Sequence, residues 1–393
     1  MCECSPVVRT DASQASDSGS NPGIRTISHS YRFYTGTDIF KTGARINLND
    51  NMLEIDCSRG EGGGQSVRTS VAMSTVTGKE VHLTRIRENR PTNGLSKQHC
   101  TAVQAVADIT GSEIIGNSLG SRELTVKPKT DRKYDITMDI GTAGSISLVL
   151  QAIQLAASTF DRRLDIDISG GTNVMWAPPI DSYQQVLYPL MSRMGIEATV
   201  EILERGFYPE GGGRIKASFE PIHGIKPLML TDLGKLKKVS GVCFSQHLPK
   251  WVTEQLLEGC HSVLDDICEP EITIQSSSGG SRGAGLALVA EYENGLLGSN
   301  VLSTRGHPAK QAGIDAASDL VQVMNSGSTL DVHTADQLLP YMAMADGDSA
   351  FTVSRISRHL LSQMDTLETF LDVRFGVERK DDLYHFTVTP GGH

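Results

Sequence analysis

One pattern, written three times, constrains this chain more than any other feature. An amphipathic helix, two short strands and a proline recur in that order near residues 95–128, 181–221 and 356–390. In the first copy Cys100, Val103, Val106 and Ala107 share a helical face, and strands 113–115 and 123–126 follow, ending at Pro128. In the second Val186, Leu187, Leu190 and Met194 are the apolar set, with strands 197–203 and 214–219 and then Pro221. The third runs helix 356–371, strands 373–378 and 384–388, then Pro390. Each copy is preceded by strand, helix and strand: 53–56, 64–77 and 80–85; 134–138, 145–158 and 164–169; 330–332, 335–344 and 350–353. The unit is therefore β-α-β-α-β-β, a small sheet with two helices on one face. The predicted class is α/β (α+β), with three such units around a shared core.

Residues 228–326 interrupt the pattern and read as a smaller inserted α+β domain: strand 239–245, helix 249–266, strands 271–275, 285–291 and 297–303, and helix 308–326. The expected organisation is an extension over 1–50, units one and two over 51–227, the insert over 228–326 and unit three over 327–393. The extension is rich in Ser, Thr, Asp, Asn and Gly without periodicity, and its first half is expected to be disordered.

A net charge of −10 excludes the global basic field of a non-specific nucleic-acid binder, so a polyanion has to be met by a local site. No apolar run approaches the ~18 residues of a membrane helix. The start lacks an apolar signal segment, and the seven scattered cysteines read as reduced thiols. No membrane partner is expected, and the cytoplasm is the expected location. The 39 glycines call for many tight turns, or for close approaches of backbone to a ligand.

Four segments can carry chemistry. Between a strand and a helix lies Arg59-Gly60-Glu61-Gly62-Gly63-Gly64-Gln65-Ser66-Val67-Arg68. Its glycines free backbone N–H groups at a helix N-terminus, which suits an anion. Glu61 is either the exposed residue of a tight turn or a carboxylate that holds a divalent metal beside phosphates. The loop is neither a Walker A sequence nor a dinucleotide fingerprint. Next come Arg85, Arg87, Arg90 and Lys97 with Gln98-His99, a basic run in an acidic chain. Arginine forks suit phosphate oxygens and also stack on bases, while a solvated charged loop is the plain alternative. The loop Gly170-Gly171-Thr172-Asn173-Val174-Met175-Trp176-Ala177-Pro178-Pro179 suits a pocket wall, or Trp176 anchors a core. Last are His333-Thr334-Ala335-Asp336-Gln337 and His359. Periodicity does not decide whether a histidine on a helix is structural or catalytic.

Taken together and in order, these segments resemble the RNA 3′-terminal phosphate cyclase family. The matching residues are Gly60–Gln65, Ile86-Arg87 with Arg90-Pro91 and Gln98-His99, Asp139-Ile140-Gly141-Thr142-Ala143-Gly144-Ser145, and Gly170-Gly171-Thr172 with Ala177-Pro178-Pro179. Further matches are Gly206-Phe207-Tyr208-Pro209 with Gly211-Gly212-Gly213, Ala335-Asp336-Gln337, and Ser357-Arg358-His359-Leu360-Leu361. The similarity spans about 52–389. It implies the repeat-plus-insert fold and an ATP-consuming closure of RNA 3′-phosphate ends into 2′,3′-cyclic phosphodiesters. By resemblance His359 accepts AMP from ATP and passes it to the RNA 3′-phosphate, the 2′-hydroxyl then displacing AMP. The same resemblance gives Glu61 a Mg²⁺ or Mn²⁺ ion, Arg68, Arg87, Arg90 and Gln98 the phosphates, and Gln151, Pro178 and His333 to Gln337 the nucleotide, with Pro178 against adenine.

Three departures from the family pattern stand out. Ser362-Gln363 replaces the Thr-Asn of many members, position 333 is His where some relatives have Tyr, and the N-terminal extension is additional. Two rival readings are a cyclase-like ribosome-assembly protein, which lacks the nucleotidyl histidine, and an enolpyruvyl-transferase-like enzyme with an Arg-lined cleft. Lysine-type ligases are disfavoured, since no Lys-x-Asp-Gly occurs. Oligomeric state is open.

Overall fold

The computed structural model describes residues 52–60, 62–304 and 306–391, together with the backbone of Arg45–Ile46. The extension expected to be disordered lies almost wholly outside them, as does Glu61. In unit one, β1 (Arg45–Ile46), β2 (Met52–Asp56), α1 (Gly64–Thr77), β3 (Glu80–Thr84), α2 (Lys97–Thr110), β4 (Glu113–Ile115) and β5 (Leu124–Lys127) build a sheet of order β1-β2-β3-β5-β4. Strand β2 runs parallel to β3 across the α1 crossover, and β4 and β5 form an antiparallel hairpin. Apolar residues alternate along β3, where Val81 and Leu83 are buried and their neighbours are not.

Unit two repeats the plan with β6 (Asp135–Asp139), α3 (Ile146–Ala156), β7 (Leu164–Gly170), β8 (Ala198–Glu204) and β9 (Gly213–Phe219), in the order β6-β7-β9-β8. Its second helix comes in three pieces: α4 (Ile180–Ser182), a π-helical stretch Tyr183–Leu187, and α5 (Tyr188–Arg193). Sequence periodicity predicts one continuous helix over 181–195. Pro189 supplies the reason for the break. It has no N–H to give the carbonyl four residues back, and its ring crowds that carbonyl, so the turn before it widens. The Tyr188 amide accordingly reaches the Tyr183 carbonyl.

Unit three is entered early. Strand β10 (Met229–Leu230) lies parallel to β15 (Ser349–Val353), so its sheet begins before the insert. The insert follows: β11 (Leu236–Gln246), α6 (Lys250–Leu264), β12 (Glu271–Ser277), β13 (Gly283–Tyr292), β14 (Leu296–Leu302) and α7 (Ala309–Asn325), with sheet order β12-β11-β13-β14. The chain then returns through α8 (Val332–Ala343), β15, α9 (Arg358–Phe370), β16 (Val373–Lys380) and β17 (Leu383–Pro390), closing the order β10-β15-β17-β16. The strand expected at 330–332 does not form. Asp331 instead caps α8, accepting from the amides of His333 and Thr334, and β10 takes the strand position in the sheet.

The helices meet in the middle. Helix α1 packs against α2, α3 and α9, and α8 packs on α9. Val71, Val103, Ile153, Leu339 and Leu367, one from each of these helices, lie in a single buried cluster that draws on all three units and the insert. Helix α3 is apolar on nearly every side, as a helix enclosed by others must be. The described cysteines are unpaired thiols, and burial pushes Cys57, Cys243 and Cys260 up to about 12. Among the described residues no helix is long and apolar enough to cross a membrane.

Candidate active site

The site is organised around the first turns of α1. That helix starts at Gly64 after Gly63, has no side-chain cap and carries no acid in its first turn, so its N–H groups and positive end are left to an anion. Gly60 and Gly62 both adopt left-handed backbone, with φ of +62° each, and so bracket Glu61. A Cβ at Gly60 would collide with the Ser362 hydroxyl of α9, which explains the need for glycine twice over. Among the described residues no three potential metal ligands gather. A divalent ion here would depend on Glu61 together with substrate phosphates, the usual arrangement for Mg²⁺.

His359 is the second residue of α9, and its Nδ1 lies 2.5 Å from Gln65 Oε1 on α1. With the amide oxygen accepting, Nδ1 holds the ring proton and Nε2 keeps its lone pair. The start of α9 is fixed from below. Ser357 caps it, accepting from the Leu360 amide, and its hydroxyl donates to Asp336 Oδ1 of α8 at 2.9 Å. Gln363, on the same helix, accepts from the buried Thr69 hydroxyl at 2.9 Å. Gln363 thus ties α9 to α1, and Ser362 of the same helix lies against Gly60 of the glycine loop.

On the other side of the α1 terminus sits His99. Its Nδ1 accepts from the Ser96 amide at 3.1 Å, which places the proton of the neutral ring on Nε2. A Cβ on Gly64 would occupy the space of that ring, so Gly64 makes room for it. Burial, then Arg68 and Arg87, lower the His99 pKa to about 3. Burial and the nearby Arg90 also lower the Arg87 pKa. Arg87 has a left-handed backbone, φ +54°, and donates to the Gly94 carbonyl. Arg68, buried on α1, donates to Gln151 Oε1 of α3 at 3.3 Å. Gln98 accepts from the Ser145 amide at the start of α3, and the Pro178 carbonyl accepts from Ser147 one turn before Gln151.

The structure therefore brings His359, Arg68, Gln151, Arg87 and Gln98 to the neighbourhood of one helix terminus, with Pro178 against the first turn of α3. His333 lies within electrostatic reach of His359. Desolvation lowers the His333 pKa, Asp331 opposes that, and Arg355 and His359 add to the lowering. The rest of the 333–337 segment faces mainly inward. Ala335 is wholly buried, the Thr334 hydroxyl donates to Asp331, and Gln337 Nε2 turns back to the His333 carbonyl. Sequence reasoning assigned no role to Gln65, His99 or Ser357, although all three lie in the motifs, and it passed over Ser96 and Asp331. Ser96, Asp331 and Ser357 carry the ordinary signature of helix caps, which could have found them. Trp176 is no core anchor. It is 84% exposed with a φ of +61°.

Three β-α-β-α-β-β units with an insert, and a histidine set against an uncapped glycine-rich helix start flanked by arginines, define a phosphate-handling α/β protein. The model of the RNA 3′-terminal phosphate cyclase family matches residues 59–377. Curated proteins named RNA 3′-terminal phosphate cyclase are similar along most of their length. That of Methanopyrus kandleri is 39% identical, covering 84% of this chain and 96% of its own. Those of Methanosarcina barkeri and Nitrosospira multiformis are 40% and 37% identical, covering 86% of this chain and 100% and 97% of theirs. The chain belongs to the RNA 3′-terminal phosphate cyclase family. A solved enolpyruvyl transferase, NikO from Streptomyces tendae, is matched with a TM-score of 0.37 and 9% identity over 86% of this chain and 48% of that one, figures too low to bear on activity.

Proposed function

We propose that the protein converts RNA 3′-terminal phosphates to 2′,3′-cyclic phosphodiesters at the expense of ATP. The observation that carries this reading is the His359–Gln65 contact, which fixes the imidazole tautomer beside an anion-receptive helix start. The Nε2 lone pair attacks the α-phosphorus of ATP, and pyrophosphate departs with the bonding pair. A 3′-phosphate oxygen of RNA then attacks the same phosphorus and the imidazole leaves, giving an RNA-(3′)pp(5′)A end. The vicinal 2′-hydroxyl attacks the 3′-phosphorus, its proton passes to solvent, and AMP leaves. Such transfers need in-line positioning and charge neutralisation. Arg68, Arg87, Arg90, Gln98 and the neutral His99 Nε2–H supply donors, and Gln151, Pro178 and the 333–337 segment would seat the nucleotide. Mg²⁺ or Mn²⁺ held through Glu61 would add charge neutralisation at the phosphates.

The test is incubation with ATP labelled at the α-phosphate, divalent metal present, followed by a chase with 3′-phosphorylated RNA. An acid-labile AMP adduct absent from His359→Ala, and its discharge into a cyclic end, is the expected result. RNA binding with no adduct in the unaltered protein would establish a non-catalytic cyclase-like binder instead.

A further inference from the structure

The proposed chemistry ends at the terminal nucleotide, yet the fold builds a second surface beside it. The parallel bridge between Asn173 and Phe207 sets the 170–179 loop next to the 205–213 loop. The Phe207 amide donates to Ser281 Oγ of the insert at 2.9 Å, and Gly283 must be glycine because a Cβ would enter the Phe207 ring. Three chain segments from two parts of the molecule are thereby held together. From this one rim project Trp176, 84% exposed, Tyr208, 73% exposed, and Arg282, also exposed. Trp176 holds a left-handed backbone that an aromatic residue rarely adopts, so its outward position is imposed against local preference. Glu204 is turned onto the Gly280 amide.

The rim is continuous with the catalytic neighbourhood at two points. Pro178, two residues beyond Trp176, is tied to Ser147 of α3. Gly211 packs on the backbone of Thr142 and Ala143, in the loop where Gly141 accepts from Lys97. Two exposed rings and an exposed guanidinium on adjoining loops match what unpaired nucleotides require: flat faces for bases and a cation for the backbone.

We infer that Trp176, Tyr208 and Arg282 form a stacking platform for the single-stranded RNA immediately upstream of the 3′-phosphate, with the inserted domain supplying the cation. This deepens the proposed function and rests on it for the direction of the strand. Its test does not need catalysis. The chain has two tryptophans, so Trp251→Phe leaves Trp176 as the single reporter. Titration with a single-stranded RNA decamer ending in a 3′-hydroxyl should quench its fluorescence, whereas ATP alone should not. Trp176→Ala and Tyr208→Ala should each weaken decamer binding at least about fivefold, measured by anisotropy of a labelled strand. Trp176→Phe should restore most of the loss. Arg282→Glu should lower the salt dependence of binding by roughly one phosphate contact, a slope change of about 0.7. In turnover, the alanine variants should raise KM for the phosphorylated decamer and leave KM for a nucleoside 3′,5′-bisphosphate and the rate of AMP adduct formation unmoved. Unchanged decamer affinity in both alanine variants overturns the platform. Quenching by ATP alone, or slower adduct formation, would assign these residues to the nucleotide pocket and overturn it equally. Failure of the unaltered protein to form the adduct refutes the proposed reaction, while the binding measurements still judge the platform.

Discussion

His99 is neutral because its ring is buried beside two guanidinium groups, and this makes stability depend on pH. Its folded pKa, about 3, lies below the ordinary histidine value. Between the two the unfolded chain binds a proton that the native protein does not. The contribution is present in full above about pH 6.5 and is lost as pH falls towards 3, at about 1.4 kcal/mol per pH unit. From pH 7 to 5 the protein should lose roughly 2 kcal/mol more than His99→Asn does, read from urea unfolding of both. Gly64→Ala probes the same contact from the other side. Its Cβ should displace His99, reduce stability by about 1–3 kcal/mol and slow AMP adduct formation on the order of tenfold or more. If adduct formation is unchanged, His99 plays no part at the phosphates. None of this was legible in the residues one at a time. Gln98-His99 reads as part of a basic run, and only the packing of α2 against the start of α1 shows that the histidine is uncharged.

Among the elements, α9 shows how the side chain proposed as nucleophile is positioned by backbone chemistry. His359 sits in the first turn, so its place depends on the cap, and the cap depends on Asp336 of another helix. Ser357→Ala should cost about 0.5–2 kcal/mol in thermal or urea unfolding and slow adduct formation without altering RNA affinity. Ser357→Thr, which keeps the hydroxyl, should recover the rate. Most elements could be read from the sequence, α1 to the residue, because glycine punctuation and 3.6-residue periodicity agree there. The failures have local causes. Residues 330–332 carry the apolar look of a strand, but the polar one among them is a helix cap, and the true strand, β10, is two residues long and too short to show alternation. Pro189 hides the π turn in unit two, since it falls inside an otherwise regular apolar pattern.

At the scale of the whole molecule, the insert is held to unit two by Arg205, whose guanidinium is fixed within unit two by a buried ion pair with Asp181. Arg205 makes paired bonds to Asp181 at 2.7 and 2.8 Å, donates to Gln275 of β12 and lies 4.2 Å from the centre of the Phe244 ring. Asp181→Ala leaves that guanidinium buried without its partner and should destabilise the protein by about 3–5 kcal/mol. The loss should appear as an earlier unfolding of β11 and β12 in hydrogen exchange, ahead of the helical centre; simultaneous exchange throughout would mean the insert has no independent opening. The repeat plan made the three-unit architecture readable, whereas this junction was not, because its residues are scattered from 172 to 281 and each looks like an ordinary loop polar group. The early entry into unit three has a further consequence, for the order in which the protein is made. Strand β10 leaves the ribosome about 120 residues ahead of β15, its parallel partner, so that pairing must bridge a long loop of chain. Units one and two and the insert can each close on segments already synthesised. The third sheet, which carries the helix bearing His359, is therefore the last to assemble, and a nascent chain released early would hold the uncapped start of α1 without the histidine that contacts it.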